Sequence, residues 1–172
     1  MMFNLFGTGK DAQHSLPFHE KAADAPAFWF DRALWIILTT PEKTGGSHAC
    51  FDVTVAAGAG AAPHSHTTQD EVFVVLSGRA VFTVLGRDID AKPGDLVHIP
   101  KGVMHSFKVP DSEPVRMLNY YAPGKFESFI MEAGVAAERH ELPPKTLPPP
   151  DPQVMKAAAT KVGLVMDPST VG

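Results

Sequence analysis

Between residues 33 and 122 the chain alternates short apolar segments with turn residues, and this alternation limits the possible folds most strongly. The segments are rich in β-branched side chains and show no helical period. Gly- and Pro-containing turns such as Thr44-Gly45-Gly46 and Lys92-Pro93-Gly94-Asp95 separate them. Short strands at such spacing predict an all-β sandwich or barrel. The predicted strands cover residues 35–39, 49–55, 72–76, 80–85, 96–99 and 115–121.

The sequence divides into three zones around this region. Residues 1–30 are predicted to form an N-terminal arm, 31–124 the β-barrel, and 125–172 a C-terminal helical extension with a Pro-rich connector. Apolar residues at helical spacing predict short helices on both sides of the connector. The first covers residues 125–137, and the second has Asp151 as N-cap and ends at Gly163.

Composition limits the partners and the location of the protein. The 15 basic and 19 acidic side chains give a net charge of -4 without a basic cluster, so nucleic acid is not an expected partner. No apolar run approaches the ~20 residues needed to cross a bilayer. Cys50 is the single cysteine, which excludes an internal disulfide. With no signal-peptide pattern at the N-terminus, a cytoplasmic protein is expected.

Four of the eight histidines fall in the middle of the chain, and three of them have the spacing of a metal site. His64 and His66 are two residues apart, so in a strand their imidazoles project from one face. Glu71 needs a turn or bulge to reach the same face, and His105 begins a strand after a tight turn. Three imidazoles and one carboxylate suit one divalent transition metal per chain, which is iron, manganese, nickel, cobalt or zinc.

These residues also carry a family resemblance. One stretch matches the first cupin motif at every position: Gly58-x5-His64-x-His66-x4-Glu71-x6-Gly78. A second stretch matches the second motif except at its last position, where Val109 replaces the usual Asn: Gly94-x5-Pro100-x-Gly102-x2-His105. The resemblance implies a cupin jelly-roll β-barrel (a double-stranded β-helix) with His64, His66, Glu71 and His105 as metal ligands. The glycines are interpreted as turn or bulge positions with unusual backbone angles.

Other interpretations of single residues remain open. A lone histidine is more often a core or surface residue than a ligand, and Glu71 could instead pair with a basic side chain. Whether Glu71 is a ligand or a free base is undecided. His98 lies outside the motifs; it could line the pocket, but a structural role is favoured.

Alternation along the strands predicts the walls of a substrate pocket. If Glu71 and His105 point inward, so do the residues two and four positions from Glu71 and two positions on each side of His105. The strand 115–121 presents either Leu118 and Tyr120 or Met117, Asn119 and Tyr121, and its register is undecided. The predicted pocket residues are Phe73, Val75, Val103, Phe107 and Tyr120. Such apolar and aromatic walls indicate a small apolar or aromatic substrate.

Outside the metal motifs the chain resembles bacterial monocupins similar to quercetin 2,3-dioxygenase. The shared features are Phe28-Trp29-Phe30, a Thr-Gly-Gly before a long strand, the Pro123-Gly124 helix start, and a Pro-rich tail. This resemblance implies a homodimer and a metal-dependent dioxygenase that cleaves a flavonol-like or other aromatic or enol substrate with dioxygen, with Glu71 as general base.

Two alternatives belong to other classes. One is a non-oxygenase metal-binding cupin, such as an isomerase or a small-metabolite binding protein. The other is a structural barrel with a vestigial site, and the presence of all four ligand types argues against it.

Overall fold

The computed structural model describes residues 16–110, 112–167 and 169, so the first half of the predicted arm lies outside the described residues. No helix in these ranges is long and apolar enough to span a membrane. The described elements, in chain order, are β1 (Ala27–Phe30), β2 (Ala33–Thr39), α1 (Pro41–Thr44), β3 (Ala49–Val55), β4 (Gly60–His66), β5 (Asp70–Ser77), β6 (Ala80–Val84), β7 (Arg87–Ala91), β8 (Leu96–Ile99), β9 (His105–Lys108), β10 (Val115–Ala122), α2 (Glu127–Ala133), β11 (Val135–Ala136), α3 (Pro152–Val162) and β12 (Leu164–Met166).

The strands form two antiparallel sheets that enclose one core. The larger sheet has the order β11-β1-β2-β3-β10-β5-β8, and the smaller has the order β12-β4-β9-β6-β7. Side chains of both sheets meet in one buried cluster, which includes Phe51, Phe73, Phe82 and Met117. The predicted all-β jelly-roll barrel with short C-terminal helices is therefore confirmed.

Strand β10 shows how alternation builds this interior. Val115, Met117, Asn119 and Tyr121 are buried, whereas Arg116 and Tyr120 between them are exposed. Because side chains in a strand alternate between its two faces, every second residue of β10 points toward the core. Of the two registers left open by the sequence, the structure therefore has the one that points Asn119 and Tyr121 inward.

The larger sheet already includes residues 27–30, which the sequence assigned to the end of the N-terminal arm. Strand β1 pairs with β2 along its whole length. On the outer face of these strands Trp29 joins a second apolar cluster with Leu34 and Ile36. Its indole Nε1 donates a hydrogen bond to the Glu141 carbonyl at 2.8 Å. The aromatic patch 28–30 is thus part of the sheet, and the Pro-rich connector packs over it.

Both predicted C-terminal helices are present, but the first is shorter than expected. Helix α2 ends at Ala133 because Gly134 has an extended backbone, and the next two residues pair with β1 as β11. Helix α3 begins at Pro152 after Asp151, whose carboxylate accepts from the backbone N–H groups of Gln153 and Val154.

Strand β12, which was not predicted from the sequence, follows helix α3 directly. The helix ends at Gly163, whose φ of 73° lies in the left-handed region. The chain then pairs with β4, so that Leu164 lies opposite His66 and Met166 opposite His64. The C-terminal segment thereby forms the outer neighbour of the strand that carries two predicted metal ligands.

Candidate metal centre

The four predicted metal ligands come from three strands in both sheets. His64 and His66 lie on β4, and His105 lies opposite His64 on the neighbouring strand β9. Glu71 lies near the start of β5 in the larger sheet. A shift of the β4–β9 register between Ala61 and His64 brings the imidazoles together, with a centroid distance of 4.2 Å between the rings of His64 and His105.

One donor atom from each of these side chains lies within 4.8 Å of the other three. His66, Glu71 and His105 are each 2 % exposed and His64 is 9 % exposed. Metal–nitrogen and metal–oxygen bonds of about 2.0–2.2 Å place ligand atoms ~3–4 Å apart, so a small rearrangement closes this group around one ion. The structure therefore brings all four residues together at a site that could hold a divalent metal.

Two turns position these ligands. The backbone N–H of Gly102 donates to the His66 carbonyl at 2.8 Å, which joins the turn before His105 to the end of β4. Gly102 has a φ of 80°, as expected for a motif glycine in a tight turn. Asp70 accepts from the backbone N–H of Lys101 at 2.9 Å and ties the beginning of β5 to the same turn. His66 and Glu71 are an odd number of residues apart, and the turn between β4 and β5 is what allows both side chains to face the same site.

Backbone carbonyls orient two of the imidazoles. Nδ1 of His64 lies 2.8 Å from the Ala62 carbonyl oxygen, and Nδ1 of His105 lies 3.0 Å from that of Val103. A carbonyl accepts only, so each ring donates from Nδ1 and directs Nε2 toward the ligand group. His105 also donates from Nε2 to Glu71, and a metal bound there would replace that proton. Burial lowers the pKa of His64 to about 4, which keeps this ring in the neutral form that binds metals.

His66 gives a direct indication that the site suits an ion. Both ring nitrogens are buried, and neither has a hydrogen-bond partner among the described residues. Nε2 lies 3.2 Å from Oε2 of Glu71 but without the geometry of a hydrogen bond. Buried polar groups are nearly always satisfied, and coordination of a cation by Nε2 would satisfy this one. The residues present therefore fit a divalent transition metal.

Glu71 is ionised although it is buried. Burial opposes the charged form, but the hydrogen bond from His105 and the contact with His66 outweigh it and lower the pKa of Glu71 well below its usual range. Burial likewise opposes the charged form of His105, yet the hydrogen bond between its Nε2 and Oε2 of Glu71, at 3.0 Å, raises the pKa of His105. The carboxylate therefore stays charged and is available as a metal ligand.

Sequence reasoning missed two polar side chains on the other side of Glu71. The hydroxyl of Tyr121 donates to Oε1 of Glu71 at 2.5 Å, and Nδ2 of Asn119 donates to the same oxygen at 3.4 Å. Both belong to the register of β10 that the sequence left as an alternative.

The inward-facing walls near the ligands are mostly aromatic. Phe73 and Val75 are buried, and Phe107 packs against Phe73 with a centroid distance of 5.8 Å. Val103 is half-buried against the same core. Phe126, which was not predicted as a site residue, lies 5.2 Å from the ring of His66. These rings make the surroundings of the ligand set apolar.

Tyr120 is a correction to the predicted pocket. It lies on the outer face of the larger sheet, 37 % exposed, with its ring stacked on His48 at 4.9 Å. Arg116 is charged and its side chain is exposed, and residues 116, 118 and 120 share one face of a strand. Following that charged residue along the strand would have excluded Tyr120 from the interior.

His98 also lies outside the barrel. Its side chain is 51 % exposed, and Nε2 is 4.0 Å from Oδ2 of Asp70. It does not line the interior.

A groove of about 750 Å³ lies on the smaller sheet, and none of the four candidate ligands lines it. It is lined by Gly60, Val81, Thr83, Ser106 and Lys108, among others. Val81 and Thr83 flank Phe82, which is buried in the core, so the groove follows the outer face of the smaller sheet.

Comparison with known proteins relates this barrel to a family. A family model described as a cupin domain matches residues 51–121. Over 80 residues the chain is 34% identical to quercetin 2,3-dioxygenase of Bacillus subtilis, covering 46% of this chain and 23% of that protein. Over 55 residues it is 36% identical to acireductone dioxygenase of Bacillus cytotoxicus, covering 29% and 32%. The chain thus matches less than a third of the length of either curated relative.

Solved structures show the same fold at low sequence identity. A protein described as a predicted oxalate decarboxylase from Thermotoga maritima has a TM-score of 0.57 and 18% identity, covering 62% of this chain and 99% of that one. The polyketide cyclase RemF from Streptomyces resistomycificus has a TM-score of 0.55 and 18% identity, covering 62% and 80%. At such identity these likenesses concern the fold alone.

Proposed function

The barrel of this chain is a cupin domain that resembles quercetinase-like proteins, and from this premise we propose that the protein is a metal-dependent dioxygenase. Its substrate would be a small apolar or aromatic molecule with an enol or phenol hydroxyl, such as a flavonol. The main support is the group of four buried donors beside aromatic walls. Both curated relatives named above are dioxygenases.

The proposed ligands are His64, His66, His105 and one oxygen of Glu71. The ion they would hold is iron, manganese, nickel, cobalt or zinc. When bound, such an ion supplies Lewis-acid charge for a substrate oxygen and, if it is redox-active, a route for electrons to dioxygen.

The residues around these ligands have three tasks in the proposed reaction. Glu71, whose Oε2 lies 3.0 Å from Nε2 of His105 inside the ligand group, would accept the proton of the substrate hydroxyl as general base. The rings of Phe73 and Phe107, which pack edge-on against each other, would provide apolar contacts for the substrate ring. Burial of the site excludes bulk water and strengthens the electrostatic interactions inside it.

A second candidate is a non-oxygenase cupin, either an isomerase or a metabolite-binding protein. A carboxylate beside a bound cation would be sufficient for proton transfer without dioxygen, and Glu71 belongs to the candidate ligand group. Zinc, which is redox-inert, favours this alternative. The two candidates therefore differ in the metal bound and in oxygen consumption.

We expect the metal-loaded protein to consume dioxygen with at least one flavonol or catechol. The protein would be purified, its metal identified by elemental analysis, and oxygen uptake measured with an electrode against a panel of these compounds. The same protein treated with a chelator is the control and should show no uptake. Absence of uptake with every compound at full metal occupancy would contradict the dioxygenase proposal.

We also propose that the protein forms a homodimer through the outer face of its larger sheet. The outer face of the larger sheet carries Leu76, Leu96 and Tyr120, which are 41 %, 62 % and 37 % exposed. Strand β8, which carries Leu96, is the last strand of that sheet. Exposed apolar groups on a sheet face are a surface suited to a twofold contact.

A further inference from the structure

We propose that Tyr121 is the positioning residue for Glu71: its hydroxyl, assisted by Asn119, holds one carboxylate oxygen and turns the other toward the imidazoles. This inference rests on the proposed metal centre but not on the reaction carried out there. It makes Glu71 a ligand through a single oxygen.

The contacts of Glu71 divide between its two oxygens. Oε1 accepts from the hydroxyl of Tyr121 at 2.5 Å and from Nδ2 of Asn119 at 3.4 Å. Oε2 lies 3.0 Å from Nε2 of His105 and 3.2 Å from Nε2 of His66. One oxygen therefore faces the two donors on β10, and the other faces the nitrogens that would bind the ion.

The fold places the Tyr121 hydroxyl by strand register. Tyr121 lies directly opposite Glu71 in the β10–β5 pair, and both side chains project into the barrel. The Tyr121 ring stacks on Phe126 at 4.3 Å and packs edge-on against Phe51 at 5.7 Å. With its ring fixed on two sides, the hydroxyl has a defined position next to the carboxylate.

Loss of this hydroxyl would leave Oε1 with only the longer contact from Asn119. The carboxylate would then be free to rotate about its last side-chain bond, and Oε2 would spend less time directed at the ion. Removal of a group that orients a metal ligand typically lowers metal affinity about 10–100-fold. The phenyl ring of phenylalanine would keep the contacts with Phe126 and Phe51.

The test uses cobalt(II) as the probe ion. Apo protein would be titrated against a competing chelator, and the visible spectrum of the bound ion recorded. We expect Tyr121→Phe to bind cobalt(II) about 10–100-fold more weakly than the wild type, with an altered spectrum. Tyr120→Phe is the matched control, since it removes the hydroxyl of a neighbouring, outward-facing tyrosine, and its affinity should equal that of the wild type.

A double-mutant cycle separates positioning from packing. In a Glu71→Ala background no carboxylate remains to be held, so the added Tyr121→Phe change should cause no further loss of cobalt affinity. An equal loss in both backgrounds, or no loss in the wild-type background, would overturn the positioning role.

These titrations also keep the proposed reaction separate from this inference. Intact cobalt binding without dioxygen uptake would count against the dioxygenase proposal alone. Failure of the wild type to bind cobalt(II) would overturn both the metal centre and the role of Tyr121.

Discussion

Replacement of His66 by alanine is expected to lower the affinity for a divalent metal about 100-fold while the barrel stays folded. A four-ligand site worth about 10–16 kcal/mol gives ~3 kcal/mol per ligand, and this difference is ~100-fold in affinity. The substitution also removes two buried nitrogens that have no hydrogen-bond partner among the described residues, which limits its cost to the metal-free fold. Metal content after dialysis and circular dichroism measure the two effects.

His98→Ala is the matched control for this substitution. His98 is half-exposed on the outside of the larger sheet, so the variant should retain the metal content of the wild type. If His66→Ala retained full metal content, His66 would not be a ligand. If both variants lost metal to the same extent, the loss could not be assigned to the barrel interior.

Removal of the metal is expected to lower the unfolding temperature by about 10 °C. An ion present at ~1,000 times its Kd stabilises the native state by about 4 kcal/mol, and each kcal/mol is worth about 2–4 °C in a domain of this size. The physical reason is that the ion satisfies buried donors from both sheets, among them the unpartnered His66.

Calorimetry of chelator-treated and reloaded protein measures this shift. His66→Ala serves as the control, because at the same metal concentration most of the shift should disappear. Equal unfolding temperatures for the wild type with and without metal would contradict a buried ion that bridges the two sheets.

The fold and the grouping of the four candidate ligands were accessible from the sequence because they depend on local patterns. His64 and His66 are two residues apart, so in any strand their side chains lie on the same face. The motif glycines Gly58, Gly78, Gly94 and Gly102 all have the positive φ expected of them. The N-cap at Asp151 and the helix end at Gly163 are likewise local signals, and both are confirmed.

The remaining features depend on pairing between distant segments. Residues 164–166 form strand β12 by pairing with β4, which lies about 100 positions earlier in the chain. A segment of three residues carries no sequence pattern that predicts this partner. The contact of Tyr121 with Glu71 needs the register of β10 against β5. The charge of Arg116 favours the register in which residues 116, 118 and 120 face outward. That register places Tyr121 inside the barrel and Tyr120 outside it.

The proposed substrate class depends on the side chains around the ligand group. The solved structures of similar fold include a polyketide cyclase, so the fold alone does not determine the reaction. What favours an aromatic substrate here is the set of rings near the ligands, including Phe73, Phe107 and Phe126. Exposed Arg116 pairs with Asp52 and does not offer a cation to the interior.

The most direct measurement is anomalous X-ray diffraction from crystals of the metal-loaded protein at the absorption edge of the metal. The proposed metal centre predicts one peak per chain, about 2.0–2.3 Å from Nε2 of His64, His66 and His105 and from Oε2 of Glu71. A peak elsewhere, or one in contact with fewer than three of these residues, would contradict it.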